Sequence, residues 1–266
     1  MPHFYDSCPL HLQEWALQQS LFFTASAPLK GRHINLSPKG RPSATFAIFD
    51  ANHAGYLDLL GSGAETISHI YENGRVTVMF CSFDRQPRIL RLFCTGRVVE
   101  CDMPGFQDVI KRMGKQNVTG TRAVILLDIW KVQTSCGYAV PILRTANSTA
   151  EKDDADIENN HSSATDNRES FEERHTLEKW LVSKADKKAL QGYQVKLNSR
   201  SLDGLLGLRV ARKMGGEWIL TEEFLSYMNN VFWHPGALCL GVVIGVFLVL
   251  SVSTVHIGAW PSGELV

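Results

Sequence analysis

No basic surplus marks this chain. Its 27 lysines and arginines are matched by 27 aspartates and glutamates, for a formal net charge of zero. The electrostatic footprint that a nucleic-acid-binding domain carries is therefore missing. No C-x-x-C pair occurs either. The six cysteines stand apart at positions 8, 81, 94, 101, 136 and 239 of 266 residues. Such scatter excludes a zinc ribbon and argues against a disulfide frame; it reads as reduced, mostly buried thiols. Residues 1–20 contain Asp6, Glu14 and three glutamines, with no apolar stretch of the kind a cleaved signal peptide needs. The acidic run at Asp153, Asp154, Asp156 and Glu158 lacks the glycine and final glutamate of a calcium loop, so it reads as solvated charge. No metal site is expected, and no nucleophile triad or acid–base pair stands out.

What the chain does have is an ordinary globular composition, 44% hydrophobic and 20% charged, enough for one large domain or two small ones. Its organising stretch is 55–100. A strand-like run enters the glycine turn of residues 58–66, DLLGSGAET, and the turn opens an amphipathic helix. Ser62 and Glu65 have the S-x-x-E spacing of a capping box, which makes Ser62 the expected N-cap. Ile67, Ile70 and Tyr71 share one face, and Gly74 suits the left-handed position that ends a helix. Residues 75–83 then alternate as a half-buried strand does. Strand, glycine turn and helix N-terminus together form a place where a phosphate can be held.

Taken in order, the spacing predicts a first helix capped by Ser7 with Pro9 in its first turn, and Leu12, Trp15 and Ala16 on one face. Strands are expected over 21–27, 32–37, 43–50, 55–60, 76–83, 88–100 and 122–134, with turns at 28–31 and 38–42 and a helix over 104–115. Short antiparallel strands with few helices between them point to a mainly β barrel or sandwich. Residues 145–167 are rich in Asp, Glu, Asn, Ser and Thr and read as a disordered linker. Helical periodicity returns over 170–190, a Gly/Ser/Leu segment covers 191–212, and a helix is expected over 217–231. Residues 237–255 are nineteen positions without a charge, close to the length of a bilayer span. Trp233 and Trp260 flank the run 27 positions apart, roughly 40 Å along a helix, as aromatic belts do. The expectation is a transmembrane tail anchor, with a buried core helix as the other reading. Gly241 and Gly245 supply a GxxxG pairing face.

Several motifs occur together in a fixed order: HINLSPKG at 33–40, the turn at 58–66, ENGR at 72–75, PRILR at 87–91 followed by Gly96-Arg97, and SCGYAVP at 135–141. On these the chain resembles the pyridoxamine 5′-phosphate oxidase-like flavin proteins, in a fungal-type branch whose C-terminal segment residues 198–206 also resemble. The resemblance implies an FMN-binding split β-barrel with a few flanking helices, and a homodimer with flavin at the subunit interface. Together with the composition shifts and the uncharged run, this divides the chain into a barrel over 1–145, a polar linker over 146–168, a helical or irregular extension of the barrel over 169–231 and the membrane helix over 236–256. The barrel is then expected in the cytosol. The resemblance also implies site residues. Ser43 and Thr45 would run along the isoalloxazine ring, and Leu57, Asp58, Ser62, Gly63 and Thr66 would lie near the phosphate and ribityl chain.

One departure stands out. Where the oxidase branch carries a basic pair, this chain has Glu65 and Thr66. Lys39, Arg88 and Arg91 are the candidates for the missing charge, since arginine offers fork-like contacts to phosphate. Lys39 and Arg41 equally fit an exposed turn, and Arg88 and Arg91 a solvent-facing strand. His33 is either a structural histidine or a polarising group. The stripe His33, Asn35 and Ser37 is either the wet side of the barrel or a cofactor face. Cys136 has no basic neighbour and reads as buried and inert. The expected function is FMN-dependent redox chemistry on a small molecule; the alternative is a cofactor-free, membrane-tethered interaction module.

Overall fold

The computed structural model describes residues 2–61, 63–115, 119–143, 171–232, 239, 241–247 and 250. Two compact units follow one another along the chain, Met1–Leu177 and Glu178–Val266.

The first unit is built on antiparallel strands: β1 (His3–Tyr5), β2 (Leu21–Ser26), β3 (Asn35–Gly40), β4 (Phe46–Ile48), β5 (His53–Leu59), β6 (Arg75–Cys81), β7 (Ile89–Glu100) and β8 (Thr121–Ser135). They pair in the order β3-β2-β6-β7-β8-β5-β4, with β1 added to β8. The sheet curls on itself. Phe22 of β2 lies 5.1 Å from Phe46 of β4 and 5.6 Å from Tyr56 of β5, ring centre to ring centre. Strands far apart in the pairing order thus share one core, as a half-barrel requires. All of Phe22, Phe46, Tyr56 and Phe80 are fully buried, and burying such rings is the largest apolar gain available to a small core.

Alternation explains both faces. Phe22, Thr24 and Ser26 of β2 point inward, as period two dictates. Tyr56 joins the interior cluster. Its neighbour Leu57 points outward and packs under α4 (Phe106–Met113), with Ala47, Phe106, Ile110, Met113 and Val124. Helix α1 (Leu10–Leu17) buries Leu12 and Ala16 as its spacing predicts, but its N-cap is Pro9 and no side chain caps it, Ser7 included.

Three local expectations give way. The second strand is β3, displaced to Asn35–Gly40, and it runs straight through the predicted Pro38–Gly40 turn. An edge strand tolerates proline, because one row of its N–H groups has no partner to lose. Residues 43–45 are not strand but part of a helical turn, α2 (Pro42–Thr45), followed by the short β4. Pro42 sits at its first position after the left-handed Arg41, at φ 42°, and Thr45 Oγ1 bonds back to Gly40 O at 3.0 Å. Turn chemistry outweighs the strand propensity here. Helix α3 spans Glu65–Asn73 with Ala64 as N-cap and no side-chain cap hydrogen bond. Glu65 is therefore the first helical residue rather than the third, and the capping box does not form. Gly74 ends this helix at φ 71° as expected.

Strands β9 (Ile142–Leu143) and β10 (Phe171–Glu172) pair antiparallel. Residues 144–170 between them, which include the predicted linker, lie outside the described residues. The guanidinium of Arg174 donates to the carbonyls of Val140, Arg85 and Asp84. Helix α5 (Thr176–Asp186) joins the units in sequence. In the second unit, helices α6 (Leu190–Asn198) and α7 (Arg209–Met214) form in and around the Gly/Ser/Leu segment, and α8 covers Ile219–Phe232. Arg200 pairs with Glu217 at 3.1 Å and Glu222 at 2.8 Å.

The expected transmembrane helix over 236–256 is overturned: among the described residues no helix is long and apolar enough to cross a membrane. Residues 236–238, 240, 248–249 and 251–256 of that expected helix lie outside the described residues. The tail-anchored localisation loses its basis with the span.

Candidate functional site

At the end of β5, where the strand enters the glycine turn, a cleft of about 250 Å³ opens between β3, the start of β8 and the start of α3. Asp58 forms its floor. The strand's alternation turns this side chain inward, next to the barrel interior, where it is almost completely buried. A bare carboxylate could not remain charged there. Two cations answer it. Arg122 Nε, at the start of β8, lies 2.7 Å from Asp58 Oδ2, and Lys39 Nζ, on β3, lies 3.4 Å from Oδ1. Both cations keep part of their surface in the cleft, with side-chain exposures of 29% and 26%. Two positive groups against one carboxylate leave this trio with one net positive charge. The terminal nitrogens of Arg122 make no hydrogen bond among the described residues and remain available to an anion.

A polar wall stands opposite. Asn35 Nδ2 donates to Thr66 Oγ1 at 2.8 Å, and Ser37 Oγ donates to Asn35 Oδ1 at 3.3 Å. These bonds tie β3 to the first turn of α3. That helix has no side-chain cap hydrogen bond, and the opening N–H groups of any helix lack intrahelical acceptors. Glu65 lines the same opening. Its carboxyl group folds back over Gly63, and a Cβ at Gly63 would collide with it; Gly63 also holds φ 122°, which favours glycine.

The structure gathers Lys39, Asp58, Gly63 and Thr66 at one place. Ser62 lies outside the described residues. Ser43 and Thr45 sit on α2 and do not line the cleft; Lys115 Nζ donates to the Ser43 carbonyl at 2.6 Å. Leu57 faces the other side of the sheet. Arg91 lies on β7, with Nη1 3.3 Å from Ser135 Oγ and 3.5 Å from Gln133 Oε1, and burial lowers its pKa. Arg88 stacks over the Trp15 ring at 5.4 Å. Of the polar stripe, Asn35 and Ser37 line the cleft. His33 instead packs against His69, whose Nδ1 is 2.9 Å from Ser26 Oγ in the interior. Cys136 is exposed rather than buried. The residue sequence reading missed is Arg122. It is 64 positions from Asp58, and only the β5–β8 pairing brings the two together.

The first unit is thus a curled antiparallel half-barrel whose cleft holds one buried carboxylate and two cations. The chain is 44% identical over 253 residues to the pyridoxamine 5′-phosphate oxidase family protein ustO of Aspergillus flavus, covering 95% of this chain and 96% of that protein. It belongs to the pyridoxamine 5′-phosphate oxidase family. No family model matches it. Among solved structures, a Lactobacillus delbrueckii protein provisionally described as a pyridoxamine 5′-phosphate oxidase is 19% identical, with a TM-score of 0.39 over 48% of this chain and 94% of that one. HupZ from Group A Streptococcus is likewise 19% identical, with a TM-score of 0.37 over 47% of this chain and 90% of that one. Nothing about function follows from likeness of that order.

Proposed function

We propose that this chain is a flavin-binding protein, that the cleft at Lys39, Asp58, Thr66 and Arg122 takes the phosphate end of FMN, and that the bound flavin serves redox chemistry on a small molecule. The observation that supports this most is the buried Asp58 with two cations on it. That arrangement fixes Lys39 and Arg122 in advance and leaves part of each cation exposed in the cleft. Pre-set charge of this kind binds an anion with little reorganisation. Phosphate fits the donor set: a guanidinium fork, an ammonium and the leading N–H groups of α3. Flavin supplies the redox chemistry when bound. The chain's residues bind and orient.

The cleft, at about 250 Å³, is below the usual range for a whole nucleotide-sized ligand. The exposed apolar side chains of Ile34 and Leu36, just before and on β3, and of Leu59 and Leu60, at and just after the end of β5, suit the missing wall, supplied by a second copy of the chain. The functional form is then a homodimer, with the site shared between residues 1–145 of two protomers. Ser43 and Thr45, on α2, belong to the ring-facing side of that shared site; Leu57 supports it from beneath and Arg91 sits apart from the phosphate.

A second reading keeps a specific observation in its favour. Glu65 stands in the opening and opposes a phosphate, as it would in a cofactor-free binding module. The deciding experiment is to purify the whole chain, record its visible spectrum and then titrate it with FMN. Flavin absorbance near one per chain, or saturable uptake, supports the flavoprotein. A folded, colourless protein that takes up no added FMN supports the module.

A further inference from the structure

Glu65 has a position that its own helix does not explain. As the first residue of α3 it complements the helix dipole, and an exposed carboxylate can do so while pointing into solvent. Instead it folds back over Gly63 and lines the same cleft as Lys39, Asp58 and Arg122. It makes no hydrogen bond or ion pair among the described residues, because both cations are engaged by Asp58. Its charge nonetheless cancels the one net positive charge that the trio leaves over. The cleft is thereby electrically balanced without any ligand. Gly63 permits this fold-back, since any larger residue would put a Cβ where the carboxyl group lies.

We propose that Glu65 is the specificity-determining residue of the cleft: an internal anion at the mouth of α3 that sets how much negative charge a ligand can bring in. The proposal rests on the reading of the cleft as a phosphate corner. A phosphate monoester, with close to two negative charges, enters only as Glu65 swings into solvent, which its exposure and lack of partners allow. The protein therefore holds a phosphate ligand more weakly than its two cations alone would. A ligand lacking the phosphate feels no such competition. Replacing the carboxylate by its neutral amide isolates the charge, because the shape is kept.

The test compares the whole chain with its Glu65→Gln and Glu65→Ala variants, each first shown to melt cooperatively. Inorganic phosphate is titrated by its protection against thermal unfolding, and FMN and riboflavin by fluorescence quenching. Both variants are expected to bind phosphate and FMN about tenfold more tightly than the parent, as removal of one nearby like charge in a partly screened cleft implies. Riboflavin affinity is expected to stay the same. Tighter phosphate with no flavin uptake by any protein upholds the role of Glu65 and removes the flavin reading. Flavin uptake with FMN and phosphate affinities unmoved by both variants upholds the flavin reading and overturns the role of Glu65. No binding of either phosphate or flavin by any of the three proteins overturns both.

Discussion

Asp58 and Arg122 meet at 2.7 Å across 64 residues of sequence, and the buried carboxylate depends on that one contact more than on any other. Lys39 reaches the second oxygen only at 3.4 Å. Losing Arg122 leaves Asp58 with a long, partly exposed ammonium as its one partner among the described residues, and removing one partner of a buried pair is costly. Arg122→Ala is expected to lower unfolding free energy by about 3 kcal/mol and Lys39→Ala by about 1 kcal/mol, since hydrogen bonds to charged groups differ on that scale. Urea denaturation of the two variants checks the order. Equal losses would show that the cations share the carboxylate evenly.

Phe22 holds the curl of the sheet. It touches Phe46, Tyr56 and Phe80, with ring centres between 5.1 and 5.7 Å away, and is fully buried. Phe22→Ala opens a cavity between β2 and the strands β4 and β5, with which β2 shares no hydrogen-bonded ladder, so little can collapse to fill it. A loss of about 4 kcal/mol is expected, read as a lowered denaturation midpoint with an unchanged slope. A loss near 1 kcal/mol would mean that β2 and β4 are not packed as described.

The thiols divide by burial. Cys8, Cys81 and Cys94 are buried, and Cys101, Cys136 and Cys239 are exposed. Burial pushes the Cys8 thiol up to about 11 from its ordinary 9.0, and raises Cys81 and Cys94 too. The thiolate is the reactive form. A thiol reagent at about pH 8 should therefore modify the exposed three quickly and the buried three only on unfolding. The same shifts carry a sign for stability. Above pH 9.0 the unfolded chain releases the Cys8 proton while the folded chain retains it until about 11, so the folded state binds more protons and stability falls as pH rises through that window. Tyr56, whose pKa burial also raises, extends the loss to higher pH. Chemical denaturation from pH 7 to 10.5 is expected to show a declining midpoint above about 9; a midpoint that rises there would contradict the burial of these groups.

Most of the barrel was legible because its strands alternate and its helix faces repeat at the proper spacing. The residues that misled each obey two rules at once. Pro38 and Gly40 spell a turn, yet proline is harmless on an edge strand, and sequence does not say which strand is the edge. Ser43 and Thr45 have strand propensity, but Pro42 and the left-handed Arg41 dictate a helical turn. Asp58 came from the resemblance and Lys39 as a candidate for the missing charge, and both line the cleft. Arg122 was not found, because its role arises only from the register that sets Asp58 opposite Ala123. The apolar run at 237–255 had the length of a span, but among the described residues no helix is long and apolar enough to cross a membrane.

The central claim is that a flavin's phosphate is held by Lys39 and Arg122. The most direct measurement is the ratio of FMN to riboflavin affinity, by fluorescence quenching, for the parent chain and for Lys39→Ala and Arg122→Gln. The account predicts that the parent prefers FMN, that each variant loses about tenfold of that preference, as one charge-assisted contact to phosphate is removed, and that riboflavin binding is unchanged. Equal affinity of the parent for FMN and riboflavin, or a preference that survives in both variants, would contradict it.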